Sequence, residues 1–206
     1  MKRCIILLLL VGVCLVAPGI AHADENAELT MRVAALEEKI ASLEKVLRPF
    51  IAKAEAEQRV NAQRLNARKR MRQDAGKYSA DELREIESLY QVANKEWRTP
   101  KAKLSLQQLV EKYDKANRTG CALLYLGQMS KGKDRVEYLT KAAEKFGDCY
   151  YGDGVQVGAY ARLLLGQTYL QEGEKKQAAA LFEELRKNYP QAIDHRGNHL
   201  VAQLEN

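Results

Sequence analysis

Tyr160 to Pro190 reads YARLLLGQTYLQEGEKKQAAALFEELRKNYP. Apolar residues recur in it at helical spacing on both sides of a polar turn. Gly166 and Ala178 are small enough to let two antiparallel helices approach closely. Leu165, Tyr169, Phe182 and Leu185 supply the side chains that fill the seam between them. Pro190 ends the second helix, because it lacks a backbone donor.

With Arg162, these positions resemble the tetratricopeptide repeat: Leu-Gly, an aromatic three residues after Gly, then Ala, Phe and a closing Pro. Arg162 stands where that repeat most often has Trp. The pattern recurs 76 residues upstream, where Leu89, Ala102, Leu106, Leu109 and Tyr113 match Leu165, Ala178, Phe182, Leu185 and Tyr189. Ser79-Ala80-Asp81-Glu82 forms a capping box at the start of that copy. Thr99-Pro100 opens its second helix, with Pro at the first helical position. Between the two lies a degenerate copy: Leu126-Gly127-Gln128 repeats Leu165-Gly166-Gln167, and Leu139, Ala142 and Phe146 echo Phe182, Leu185 and Tyr189.

The fold class predicted is all-α: an N-terminal coiled-coil helix, then a right-handed tetratricopeptide-like array of helical hairpins. The hairpins are expected at Ser79–Ala116, Gly120–Gly147 and Val157–Gln191, with Ala192–Leu204 as a capping helix. Three hairpins are about the fewest that let each bury its apolar face on a neighbour. The linker Gly147–Gly154 stands where a tight turn is expected. The resemblance implies a groove lined by the first helix of each hairpin. Its register places Gln91, Gln128 and Gln167 in equivalent groove positions, with Arg84, Glu87, Asn94, Tyr160 and Gln171 nearby. Such a column of amides suits an extended peptide; Gln as a solvated helix former is the alternative.

Ahead of the repeats, Leu29, Val33, Leu36, Ile40, Leu43, Leu47 and Phe50 are spaced 4-3-4-3-4-3. That is a heptad seam. It is narrower than the stripe a globular core requires, and a lone helix of this length is marginal in water. Self-association as a dimer or trimer through residues 24–50 is the expectation; packing on the protein's own domain is the alternative. Pro49 predicts a kink there or a parting of the strands.

Residues 51–78 read as a basic helical connector. Arg59, Arg64, Arg68, Lys69, Arg70 and Arg72 fall in it with no acid between them. The stretch reads as a solvated helix face or as a contact for anionic envelope polymer or lipid. No aromatic residue interleaves to stack bases, which speaks against nucleic acid.

Met1–Ala23 has the parts of a secretory signal peptide: Lys2 and Arg3, an apolar run from Cys4 to Ala17, and small residues around His22. The run is short of the roughly 20 residues a spanning helix needs. Cleavage leaves 183 of the 206 residues. Losing Lys2 and Arg3 from the 33 basic residues leaves 31 against 27 acidic, a net +4. The expected location is the periplasm, where disulfides are permitted. Cys121 opens the middle hairpin and Cys149 follows it, so a bond between them is expected to staple that hairpin. Four prolines and 13 glycines in the whole chain favour helix.

No nucleophile–base pattern, glycine-rich phosphate loop or paired-cysteine metal motif occurs. His195 and His199 share a helix spacing but find no third ligand. No enzyme activity, cofactor or metal is expected. The order of parts is similar to that of the periplasmic cell-division coordinators associated with the Tol–Pal system. That resemblance implies an envelope protein or peptide as partner, self-association, and a role coordinating constriction with cell-wall synthesis.

Overall fold

The computed structural model describes residues 21–204. The leader read at Met1–Ala23 lies outside them except for its last three residues. Seven α-helices and one short 3-10 helix make up the described residues, with isolated bridges but no strand. The chain divides into two compact units, Met1–Ile51 and Ala52–Asn206.

Helix α1, Ala21–Asp74, contributes to both. Pro49 lies inside it and does not end it, and the unit boundary falls two residues later. In the first unit, Leu29, Val33, Leu36, Ile40, Leu43, Leu47 and Phe50 are all 50% to 67% exposed.

The second unit contains three helical hairpins: α2 (Ala80–Lys95) with α3 (Pro100–Lys112), α4 (Asn117–Met129) with α5 (Gly132–Lys145), and α6 (Val157–Gln171) with α7 (Lys175–Asn188). The capping box at α2 forms: Glu82 N donates to Ser79 Oγ at 3.3 Å and Ser79 N donates to Glu82 Oε2 at 2.7 Å. Thr99 Oγ1 caps α3 by accepting from Ala102 N at 3.1 Å, with Pro100 behind it. The three second helices end alike, on Tyr113, Phe146 and Tyr189, with φ of −128°, −128° and −132°. Helix α3 packs on α4 and α5 on α6, while α2 touches α4 and α4 touches α6, so the hairpins stack.

Leu106, Leu109, Leu123, Leu124, Leu126, Leu139 and Leu185 are fully buried. Burying such a side chain contributes about 1.5–3 kcal/mol. The glycines set the helix separation. A Cβ on Gly127 would lie 2.6 Å from Leu139 Cδ2, and one on Gly166 would run into the Phe182 ring. Arg162, where the repeat most often has Trp, ties α6 to its neighbours. It pairs with Glu184 of α7 at 2.7 Å, donates to the Ala143 carbonyl of α5 at 3.1 Å, and lies 5.1 Å from the Tyr189 ring.

Ala192–Leu204 is not the helix expected. Ile193 bridges His199 in an extended segment, and only Leu200–Leu204 is helical, as a 3-10 turn. Asp194 is the cause. Its Oδ1 accepts from Arg196 N at 2.8 Å and Asn198 N at 2.9 Å, and Gly197 takes φ +84°. A side-chain acceptor followed by glycine offers the backbone a turn in place of a helix.

The residues read as a connector instead form a strut within the second unit. Val60, Gln63, Ala67, Arg70 and Asp74 recur at alternating intervals of three and four, placing them on one face of α1. Val60 abuts Gly197. Gln63 Nε2 donates to the Gln191 carbonyl at 2.9 Å. Gly154, at φ +101°, lies so close to Gln63 that a Cβ would come within 2.8 Å. Arg70 Nε donates to Asp148 at 2.9 Å, its Nη1 to Asp74 at 2.7 Å and its Nη2 to the Lys115 carbonyl at 3.3 Å. Asp74 Oδ2 accepts from Asn117 N at 2.7 Å. The helix therefore crosses the segments after α7, α5 and α3 in turn. Arg70 is 7% exposed and does not belong to a basic surface. Arg59 is half-buried, whereas Arg64, Arg68, Lys69 and Arg72 face solvent.

Candidate binding surface

The first helix of each hairpin, α2, α4 and α6, carries the residues expected to bind a partner. Glu87 on α2 accepts a fork from Arg118 at 2.8 and 3.1 Å and a bond from Gln91 at 2.6 Å. Burial alone would raise the Glu87 carboxyl pKa; the bonds from Arg118 and Gln91 outweigh it and hold the pKa below its ordinary value. Arg118 also lies 4.2 Å from the Tyr90 ring centroid. Asn94 donates to Gln91 at 3.3 Å and accepts from the Tyr125 hydroxyl at 3.0 Å. Glu87 and Asn94 are thus tied to α4, with Gln91 bonded between them on α2. Arg84 is exposed and paired only with Asp81, one turn earlier.

The remaining residues of the set lie elsewhere. Gln128 and Gln171 line a cleft near the α4–α5 turn. Tyr160 packs on His195, with ring centroids 5.6 Å apart. Gln167 is half-buried on α6. The contacts thus link Glu87, Gln91 and Asn94 in one chain of bonds and put Gln128 and Gln171 in one cleft.

The sequence reading missed a run of aromatic rings. Trp97 meets Tyr125 at 4.9 Å, Tyr90 stacks on Tyr125 at 5.7 Å, Tyr125 meets Tyr151 at 5.4 Å, and Tyr151 meets His195 at 5.2 Å. Tyr151 comes from the linker after α5 and is 4% exposed. Its hydroxyl donates to the Cys121 carbonyl at 3.1 Å. The linker closes on itself, with Tyr151 N donating to the Val155 carbonyl at 2.9 Å and Val157 N to the Cys149 carbonyl at 2.8 Å. Asn117 holds it to α4 by exchanging two bonds with the Tyr150 backbone, at 2.7 and 2.8 Å. Linker and tail therefore cover parts of α4 and α6. Trp97, 39% exposed, ends the run at the α2 side. Two tyrosines between glycines and aspartates were the available signal.

His195 Nδ1 lies 2.7 Å from Asp153 Oδ2 and joins the tail to the linker. The bond from Asp153 raises the His195 pKa above its usual value against the effect of burial. Burial would raise the Asp153 pKa, but the same bond and the imidazolium charge bring it below normal. His195 and His199 sit in the extended tail and not on one helix face. No group of three or more metal-ligating side chains occurs among the described residues.

Cys121 and Cys149 are not bonded to each other in the structure, so it does not show the expected disulfide. Both are fully buried. Cys121 Sγ points to the Tyr150 carbonyl at 3.3 Å, and Cys149 Sγ lies 3.5 Å from Arg70 Nη2. The linker thus turns the two sulfurs to different partners. Burial pushes the Cys149 thiol up to about 12 despite the nearby Arg70 charge, and raises Cys121 further.

Comparison with protein families matches Tyr160–Ala192 to a tetratricopeptide repeat model. No curated protein and no solved structure matches significantly. The protein is an all-α array of helical hairpins that contains a tetratricopeptide repeat. Repeats of this class generally mediate protein–protein interaction and typically carry no chemistry of their own.

Proposed function

We propose that the chain is a non-enzymatic periplasmic adaptor. It self-associates through Leu29–Phe50 and holds a protein or peptide of the envelope on its repeats. The observation that carries this reading is the seam itself. Seven apolar side chains at heptad spacing, each at least half exposed, are best covered by an identical helix. A cleaved leader at Met1–Ala23 supports export. A role alongside the Tol–Pal system in cell division is the finer reading, supported by the order of parts. The partner contact falls on the α2 side, where Asn94 and Trp97 are exposed. Crosslinking pull-down of the mature protein from its own envelope tests this reading. Capture is expected to need both Asp24–Phe50 and Trp97; capture unaffected by Trp97→Ala and Asn94→Asp would refute the surface.

The exposed cations on α1 favour a second reading. Arg64, Arg68 and Arg72 recur every four residues and Lys69 flanks them, all in solvent. Here the protein is a tether whose basic face grips anionic polymer or lipid while the repeats serve as a spacer. Such binding fades steeply with salt, whereas capture through Trp97 does not.

A further inference from the structure

A cleft of about 640 Å³ lies where the α2–α3 and α4–α5 turns meet the end of α6. It is lined by Arg98, Lys131 and Arg135, with Glu172 as the single carboxylate. Among the described residues, none of these three cations pairs with an acidic side chain. Arg135 is held in place by bonds from Nε to Thr168 Oγ1 at 2.9 Å and from Nη1 to the Gly127 carbonyl at 3.3 Å. Helix α5, 14 residues long, starts at this cleft, and Lys131 at its N-cap makes no side-chain cap. Asp134 stands in its first turn, and no side chain caps its first amide groups, which favour an anion.

Two further polar groups stand beside the cleft without a partner. Ser130 lines the cleft at 9% exposure, and its buried hydroxyl has no hydrogen-bond partner. The Gln128 amide nitrogen is likewise buried and unpartnered. Leaving such a group unsatisfied carries its full desolvation cost. A serine hydroxyl turns among three staggered positions without moving the backbone, so it can reach an acceptor placed in the cleft.

We propose that this cleft binds a phosphate-type oxyanion. Three cations, a hydroxyl, an amide and a helix N-terminus supply more donors than a single carboxylate can accept, and they suit a tetrahedral dianion. Free inorganic phosphate and a phosphomonoester on a larger molecule share this chemistry. The site stands apart from the exposed Arg64–Arg72 face and does not depend on the adaptor reading.

Calorimetric titration of the full mature protein tests it, with inorganic phosphate and glycerol phosphate as separate probes at an ionic strength fixed with sodium chloride. Saturable binding is expected for at least one probe; which probe binds more tightly distinguishes a free ion from a carried group. Lys131→Gln and Ser130→Ala should each weaken binding at least fivefold, while Arg64→Gln with Arg68→Gln changes it less than twofold. Lys131 is exposed, so its variant folds irrespective of the outcome for Ser130. Absence of saturable binding by both probes overturns the proposal. So does binding unchanged in both cleft variants, binding lost in the Arg64/Arg68 variant, or acetate binding as tightly as phosphate.

Discussion

Arg70→Ala should destabilise the repeat unit far more than any other change in the Arg59–Arg72 stretch. Arg70 is 7% exposed and bonds to Asp74, itself 5% exposed. Removing one partner of a buried ion pair costs about 3–5 kcal/mol, because the other charge stays desolvated and unpaired. The Asp148 bond adds little, since that side chain is 70% exposed. At roughly 2–4 °C per kcal/mol for a unit of this size, the melting temperature should fall by about 10 °C. Arg68→Ala, two residues away and exposed, should cost less than about 0.5 kcal/mol. Asp74→Ala should be as severe as Arg70→Ala, since it also strips the Asn117 amide of its acceptor. The double variant should cost less than the sum, with a coupling of about 0.5–3 kcal/mol. Urea titration followed by circular dichroism reads all four variants. If Arg70→Ala matches Arg68→Ala, the strut does not dock and Ala52–Asp74 is the free connector that its charge suggested.

Gly166→Ala forces a methyl group into the Phe182 ring and should cost about 1–3 kcal/mol by the same titration; a neutral result would show the α6–α7 packing to be looser than described. Cys121 and Cys149 should resist alkylation in the native protein and both react after denaturation without reductant; a denatured chain with no reactive thiol would establish the disulfide instead. The His195–Asp153 contact should be strongest between the ordinary pKa values of the two groups. The raised His195 pKa contributes stability that is full below about 6.5 and fades as pH rises through its folded value. The depressed Asp153 pKa contributes above about 3.9 and is lost as pH falls through its own folded value. Amide exchange in Asp194–Leu200, corrected for intrinsic rate, should therefore quicken from pH 6 to pH 8.5 in the wild type and not in His195→Gln. Ile40→Asp should reduce the mass in light scattering to that of one chain; an oligomer that survives it is not held by the seam.

The hairpins were legible because their cues are local. Ser79 with Glu82, Thr99 with Pro100, and the glycines ahead of Leu139 and Phe182 act within one turn or one hairpin, and each occurs where the spacing placed it. Helical spacing runs from Ala192 to Leu204, but Asp194 and Gly197 offer the backbone a competing turn, and the turn wins. The disulfide was inferred from two hairpin ends lying side by side. In the structure the eight-residue linker aims Cys149 at Arg70 and Cys121 at the Tyr150 carbonyl. The groove residues were placed by repeat register, and a register does not show that Tyr151 and His195 pack against the same helices.

The strut was hidden for a different reason. Periodicity is read from apolar residues, and the buried face of Ala52–Asp74 has few: Val60 and Ala67 stand among Gln63, Arg70 and Asp74. Its partners are largely backbone atoms, the carbonyls of Gln191 and Lys115 and the amide of Asn117. Backbone groups at turns carry no residue identity, so no pattern in the sequence announces them. A polar helix face that satisfies the ends of three stacked hairpins looks identical, in one dimension, to a face that meets only water. The distinction lies in phase: Arg70 shares a face with Gln63, Ala67 and Asp74, whereas Arg64, Arg68 and Arg72 share the next one round. The charge run is thus two functions interleaved on one helix. Arg70 locks the fold, while Arg64, Arg68 and Arg72 stay in solvent.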